Sequence, residues 1–212
     1  MLYLYAIITI MKALKELETT DKTIRLVFPD IARDAPEGQQ WLSGEIGRQT
    51  LLLMGNTEDV VSEIANKSDD ELLVIEKERM KDFIEKPEQL NWMIQYMGKT
   101  VGALWIDLKD EKIFLKNGAE VTLRGPSPHI MIGNVNARSK GVGPKAIELA
   151  MDYLIDFAKY NSVYTRARTN NEKIIGILTS NKGKYQFQAD GMPYLDKDGL
   201  EFQNFRFTLD SD

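Results

Sequence analysis

The stretch from Pro128 to Tyr160 constrains the fold more than any other part of the sequence. It opens with the short apolar run His129-Ile130-Met131-Ile132, which is typical of a strand, and continues with polar residues 133–143, which indicate a loop. Apolar residues then recur at helical spacing; they are Ala146, Ile147, Leu149, Ala150, Tyr153, Leu154 and Phe157. The stretch therefore predicts a strand, a glycine-bearing loop and a buried amphipathic helix.

The glycines of this loop predict a binding site for an anion. Gly141 and Gly143 can adopt positive φ and carry no side chain, so consecutive amide N–H groups can point at one ligand. Pro144 is predicted to be the first residue of the helix, where its missing N–H is tolerated. The positive end of the helix dipole would face the same point, flanked by the charges of Arg138 and Lys140. We interpret the loop as a cradle for phosphate or pyrophosphate.

The spacing of the loop residues differs from two common phosphate-binding motifs. The loop has neither the G-x-x-x-x-G-K-[ST] pattern of a Walker loop nor the three glycines of the dinucleotide fingerprint. The run Arg138-Ser139-Lys140-Gly141-Val142-Gly143 instead resembles the R/Q-x-x-G-x-G/A signature of the GCN5-related N-acetyltransferases, the GNAT family. In that family the loop binds the pyrophosphate of acetyl-coenzyme A.

The order of elements around the loop agrees with this resemblance. Alternating residues 162–168 predict a strand, a helix-like run follows Asn170-Asn171, and a closing strand is predicted over 202–209. This order is similar to the C-terminal half of the acetyltransferase fold, in the branch that includes ribosomal-protein and polyamine N-acetyltransferases. The resemblance covers roughly the last two thirds of the chain. It implies an α/β (α+β) fold with a central, mostly antiparallel mixed sheet flanked by helices.

The resemblance also implies a cofactor site on the loop and its flanks. Its members are Ile132, Gly133, Arg138, Ser139, Lys140, Gly141, Val142, Gly143 and Asn171. The backbone of Ile132 and Gly133 would pair with the pantetheine amides of the cofactor, as an added strand does. Asn171 would contact the cofactor arm, with a helix cap as the alternative. Ser139 stands where many family members carry glycine.

Two side chains are candidates for catalytic proton transfer. His129 lies at the start of the central strand, where family members place a base, and a group that titrates near neutrality helps to deprotonate an amine. Tyr185 would supply a phenol near the thioester if the last helix carries a short insertion. The tyrosine that the family uses as an acid is replaced here by Leu178. For both candidates, a packing role without catalysis is the alternative.

Composition limits the chemistry and the partners. The chain contains no cysteine and one histidine, which excludes disulfides, thiolate or multi-histidine metal sites and a cysteine acyl-enzyme. We therefore expect no metal cofactor, direct acyl transfer and a cytoplasmic location. A net charge of −5 argues against nucleic acid as the main partner. The expected partners are a small-molecule amine or a protein N-terminal amine, and a homodimer is left open.

The rest of the chain is divided into an N-terminal segment and one domain. Met1 to Met11 is apolar but far shorter than the roughly 20 residues that span a bilayer, so we expect no membrane partner. Residues 1–20 are interpreted as an apolar segment and connector, and residues 21–212 as a single acetyltransferase-like domain. Inside the domain the sequence predicts a strand at 23–28, a turn-rich linker at 30–38, helices over 39–54, 56–63 and 69–86, and hairpins at 90–108 and 109–125.

The function implied by the resemblance is N-acetylation. The acetyl group of acetyl-coenzyme A would pass directly to a primary amine that the sequence does not identify. The alternative is a non-catalytic module of the same fold that binds acyl-coenzyme A as a sensor or an interaction partner. This alternative is motivated by Leu178 and by the lack of a clear base.

Overall fold

A computed structural model describes residues 16–54, 56–180 and 183–209 of the chain. The helices are α1 (Ile31–Leu42), α2 (Gly44–Leu53), α3 (Glu58–Ala65), α4 (Asp69–Glu85), α5 (Val142–Asp152) and α6 (Glu172–Thr179). The strands are β1 (Leu17–Glu18), β2 (Ile24–Val27), β3 (Gln89–Tyr96), β4 (Lys99–Asp107), β5 (Glu111–Phe114), β6 (Glu120–Leu123), β7 (Ser127–Ile132), β8 (Ser162–Arg168), β9 (Gln188–Leu195) and β10 (Glu201–Thr208). The apolar run from Met1 to Met11 lies outside the described residues.

The chain forms two compact units, each assembled from separate stretches. Of the described residues, 16–105 and 130–146 make up one unit, which we call the loop unit because it contains the predicted cradle. Residues 106–129 and 147–209 make up the other, which we call the histidine unit because it contains His129. The interpretation of residues 21–212 as one domain stays a prediction.

One five-stranded sheet has the order β1-β2-β3-β4-β7. β1 and β2 are antiparallel, and so are β2 and β3, with Leu26 opposite Ile94. β3 and β4 confirm the predicted hairpin, and Met97 and Gly98 take positive φ in its turn. β1 corrects the interpretation of its segment as a mere connector, because Leu17 pairs with the edge of the sheet opposite Leu26.

Helix α1 is where the sequence prediction of a turn-rich linker is wrong. The helix begins at Ile31 and contains Pro36. Its first turn is held by the fully buried carboxylate of Asp34, which accepts hydrogen bonds from the backbone N–H of Asp30 at 2.8 Å and from the hydroxyl of Thr100 in β4 at 2.8 Å. The tertiary bond from Thr100, together with the capping bonds at the helix start, outweighs the local preference of the segment for turns.

A close contact with Gly38 holds α4 against α1. A Cβ atom on Gly38 would lie under 3.0 Å from the carboxylate of Glu76. Glu76 is only 5% exposed, and its Oε2 lies 3.0 Å from Nη1 of Arg79. Burial raises the pKa of Glu76 above its usual value of 4.5, and the charge of Arg79 offsets part of that rise.

Replacing Glu76 with Gln should flatten the pH dependence of stability. A carboxyl whose pKa is raised on folding contributes stability below its unfolded pKa, and this contribution is lost as the pH rises through the folded value. The free energy of unfolding of the wild type should therefore fall, relative to Glu76→Gln, as the pH rises above 4.5. Urea unfolding across this range measures the difference, with Glu78→Gln on the exposed face of α4 as the control. Parallel curves for wild type and Glu76→Gln would contradict the prediction.

The histidine unit is built on an antiparallel sheet with the order β8-β10-β9. β8 and β10 confirm two predicted strands, whereas β9 was not predicted. β9 is mostly exposed and contains Pro193 and a left-handed Gly191, so it lacks the alternating pattern of a half-buried strand. β5 and β6 confirm the second hairpin, with Gly118 at positive φ in its turn.

Candidate functional site

The loop between β7 and α5 has the predicted strand–loop–helix order. β7 ends at Ile132, a single 3₁₀ turn covers Val135–Ala137, and α5 begins at Val142. Pro144 is thus the third residue of the helix and not the first, as the sequence analysis predicts. The difference has no energetic consequence, because the first four N–H groups of a helix have no intrahelical partner.

The backbone just before α5 is left-handed at two positions. Ser139 has φ of 61° and Gly141 has φ of 77°. A Cβ atom on Gly141 would meet nothing within 4 Å, so the space in front of this residue is open. The first N–H groups of a helix have no intrahelical partner, and the positive end of the α5 dipole lies at the same terminus, next to the exposed Lys140. An anion cradle at this position stays a prediction.

The guanidinium of Arg138 is bound to the protein itself. Its Nε donates to the carbonyl oxygen of Ile132 at 2.9 Å, and its Nη2 donates to Oγ1 of Thr50 at 2.8 Å and to the carbonyl oxygen of Gly133 at 3.4 Å. Burial lowers the pKa of Arg138, although a guanidinium stays protonated in proteins. The sequence predicts Arg138 to be a cofactor-binding charge beside the cradle. The structure gives its side chain three acceptors at the end of β7 and in α2.

Gly133, the first residue after β7, packs against the indole of Trp41 in α1. A Cβ atom on Gly133 would lie under 3.0 Å from Cγ, Cδ2 and Cε3 of that ring. Trp41 is 4% exposed and belongs to an apolar cluster with Met80, Met93 and Met131. Its Nε1 is buried and has no hydrogen-bond partner in the described residues. Gly133 is therefore required for packing, whatever its backbone binds.

In the histidine unit, His129 is paired with a carboxylate that the sequence analysis missed. Its Nε2 lies 3.0 Å from Oδ2 of Asp107, the last residue of β4, and 3.3 Å from Oγ of Ser127. A carboxylate on one ring nitrogen fixes the tautomer and orientation of the imidazole. Asp107 and His129 lie on neighbouring strands that are not consecutive in sequence, so no local pattern indicates the pair.

Solved structures resemble this chain over most of its length. No family model and no curated protein matches the sequence. A GCN5-related N-acetyltransferase from Brucella melitensis superposes with a TM-score of 0.63 at 13% identity, covering 92% of this chain and 78% of that one. RimL, a ribosomal-protein alpha-N-acetyltransferase in complex with coenzyme A, gives 0.59 at 13% identity, covering 92% and 99%. A chimera of the Vibrio cholerae spermidine N-acetyltransferase SpeG gives 0.57 at 13%, covering 88% and 95%. The chain has the GCN5-related N-acetyltransferase fold.

Asn171 precedes α6 of this acetyltransferase fold as its capping residue. Its Oδ1 accepts a hydrogen bond from the backbone N–H of Ile174 at 3.4 Å. The capping alternative is therefore confirmed, and a contact with a cofactor arm stays a prediction.

Tyr185 is tied to the C-terminal end of α5. Its hydroxyl donates to Oδ1 of Asp152 at 2.7 Å, and Nζ of Lys184 lies 2.6 Å from the same oxygen. Its ring packs edge-on against Phe207. Burial, assisted by the bond to Asp152, raises the pKa of Tyr185 to about 12. These contacts support the packing alternative, since a phenol with a raised pKa is a weaker acid toward a leaving thiolate.

The described ranges contain neither a metal-binding cluster nor a helix that could span a membrane. No group of three or more His, Cys, Asp or Glu side chains there is arranged to hold a metal ion. None of the helices in these ranges combines the length and the apolar character of a bilayer-spanning segment.

Proposed function

We propose that this chain is an N-acetyltransferase that uses acetyl-coenzyme A and acetylates a primary amine. One observation carries the proposal: the left-handed Ser139 and Gly141 directly precede the N-terminus of α5, in a chain with the acetyltransferase fold. A helix N-terminus of this kind favours negative charge, and the pyrophosphate of coenzyme A carries it. The open space at Gly141 supports a close approach of that group to the backbone.

The residues of the chain have separate roles in this proposal. Acetyl-coenzyme A, when bound, supplies the acetyl thioester. The amides at the start of α5 and the charge of Lys140 hold the pyrophosphate, and the backbone at Ile132 and Gly133 aligns the pantetheine arm. We assign His129, oriented by Asp107, to the removal of a proton from the acceptor amine.

The acceptor is proposed to be a small amine or the N-terminal amine of a protein. Among the similar structures, RimL acts on a ribosomal protein and SpeG on spermidine. The net charge of −5 suits a cationic acceptor and disfavours nucleic acid. A cytoplasmic location belongs to the same proposal, and a homodimer is left open.

Calorimetric titration tests the cofactor first. Acetyl-coenzyme A and coenzyme A should bind saturably to the purified protein, whereas ATP and NAD should not. A thiol-release assay with spermidine, an N-terminal peptide and an aminoglycoside then tests turnover. Binding without turnover on any of these amines would favour the acyl-coenzyme A sensor. Preference for ATP or NAD would overturn the cofactor assignment.

Replacing His129 with Ala should slow acetyl transfer about 100-fold or more at neutral pH, the usual contribution of a positioned base. Asp107→Asn should give a smaller loss, because the imidazole is still present but less well oriented. Steady-state kcat/KM values of the two variants measure both effects. An unaltered kcat/KM in His129→Ala would remove this residue from the reaction.

A further inference from the structure

The side chain of Arg138 joins three segments of the loop unit. It leaves the backbone at the start of the cradle, bonds to the carbonyl oxygens of Ile132 and Gly133 at the end of β7, and bonds to Thr50 in α2. Thr50 precedes Arg138 by 88 positions in the sequence. The cradle is thereby connected to α2, a helix that is distant from it in sequence.

Thr50 is well suited to hold the guanidinium in place. It is 5% exposed, and its hydroxyl donates to the carbonyl oxygen of Ile46 at 2.8 Å, one turn earlier in α2. That bond fixes the hydroxyl rotor, so a lone pair of Oγ1 is directed toward Nη2 of Arg138. Because this buried hydroxyl donates to Ile46 and accepts from Arg138, its orientation is fixed and it is a rigid acceptor.

The bonds of the Arg138 side chain fix the position of the residue that directly precedes the left-handed Ser139. Ser139, the next residue, has a φ of 61°, a conformation that a non-glycine residue takes at an energetic penalty. Such a conformation persists when the surrounding structure determines it. The edge of the guanidinium formed by Nε and Nη2 is occupied by protein acceptors, which leaves that edge unable to grip a phosphate bidentately.

We propose that Arg138 and Thr50 are positioning residues: the bond between them holds the cradle backbone in its anion-binding conformation, and Arg138 is not itself a ligand of the anion. This inference rests on the proposed function for the identity of the anion. Thr50 is uncharged and lies outside the cradle loop, but through its bond to Arg138 it increases the affinity of the cradle for the cofactor.

The test compares Thr50→Val, Arg138→Gln and the double variant. Thr50→Val should raise the Kd for coenzyme A about ten-fold, the usual effect of losing one hydrogen bond to a charged group. Arg138→Gln should raise the Kd at least as much, because it removes the bonds to Ile132 and Gly133 as well. The double variant should be no worse than Arg138→Gln, because both changes remove the same contact. Thr50→Ser keeps the hydroxyl and should restore wild-type affinity. Thr179→Val is the matched control, because Thr179 makes the same bond to the preceding turn, to Ile175, in α6.

The salt dependence of the Kd separates positioning from direct charge contact. If Arg138 only positions the loop, Arg138→Gln and Thr50→Val should both keep the wild-type salt dependence. A flattened dependence in Arg138→Gln alone would show a direct ion pair and overturn the proposal. Wild-type affinity in Thr50→Val would overturn it too.

Hydrogen exchange on the protein without ligand tests the positioning role of Arg138 and Thr50 independently of the proposed function. The hydrogen-bonded amides of Ala137, Arg138 and Lys145 should exchange faster in Thr50→Val than in wild type, while urea unfolding confirms that the variant is folded. If coenzyme A fails to bind the wild type, the proposed function fails and the exchange rates alone decide the positioning role. Unchanged exchange would overturn it. Arg138→Lys, which keeps the charge but loses the planar fork, is the second variant and should behave like Thr50→Val.

Discussion

Replacing Gly141 with Val is expected to weaken the binding of coenzyme A about 100-fold or more, as the loss of a backbone–anion contact in a cradle implies. The folded protein should tolerate the change, because a Cβ at this position meets no protein atom within 4 Å. The penalty on folding is the strain of a β-branched residue at φ of 77°, about 1–2 kcal/mol. The new methyl groups would occupy the space that the pyrophosphate needs. Calorimetric titration and urea unfolding of the same preparation measure the two effects.

Gly118 offers a control with the same backbone strain. Its φ is 82°, and a Cβ atom on it also meets nothing within 4 Å, but it lies in the turn between β5 and β6. Gly118→Val should therefore destabilise the fold as much as Gly141→Val and leave the Kd for coenzyme A unchanged. If both variants lose affinity equally, general strain explains the loss. If Gly141→Val binds as well as wild type, the loop is not the cofactor site.

The parts of the fold that the sequence predicts correctly are those with strong local signals. The alternation in β8, the Asn117-Gly118 turn and the periodicity of α5 each depend on residues close together in the chain. Residues 31–38 of helix α1, predicted as a linker, were missed for the opposite reason. The first turn of this helix depends on Asp34, whose hydroxyl partner Thr100 is distant in sequence, while Pro36 and its polar neighbours favour turns.

The same distinction divides the candidate site. The loop of residues 138–143 is a local motif, so its glycines and its place before a helix could be predicted. The partners of Arg138 and His129 could not be predicted. These partners, Thr50 and Asp107, belong to no sequence motif and are brought close only by the tertiary structure. A loop motif thus predicts the kind of ligand, whereas the side chains that orient the candidate site are brought together by tertiary packing.

Replacing Gly133 with Ala should lower the free energy of unfolding by about 1–3 kcal/mol, the range expected when one methyl group overpacks a rigid core. The added Cβ would lie under 3.0 Å from three atoms of the Trp41 ring. The indole has little room to retreat, because it is 4% exposed and packed among the methionines of its cluster. Urea unfolding measures the effect, with Gly176→Ala as the control. Gly176 lies inside α6 with open space around it, so that change should stabilise the protein by about 0.5–1 kcal/mol.

A second substitution shows whether the indole is the cause. Trp41→Leu destabilises the protein by leaving a cavity, but it also removes the ring atoms that the new Cβ would meet. Gly133→Ala should therefore be much less destabilising in a Trp41→Leu background than in the wild type, a non-additivity expected only of residues in contact. Equal losses in the two backgrounds would mean that atoms other than the indole oppose the new Cβ. The backbone conformation of Gly133 does not offer a competing explanation, because its φ lies outside the left-handed region that favours glycine.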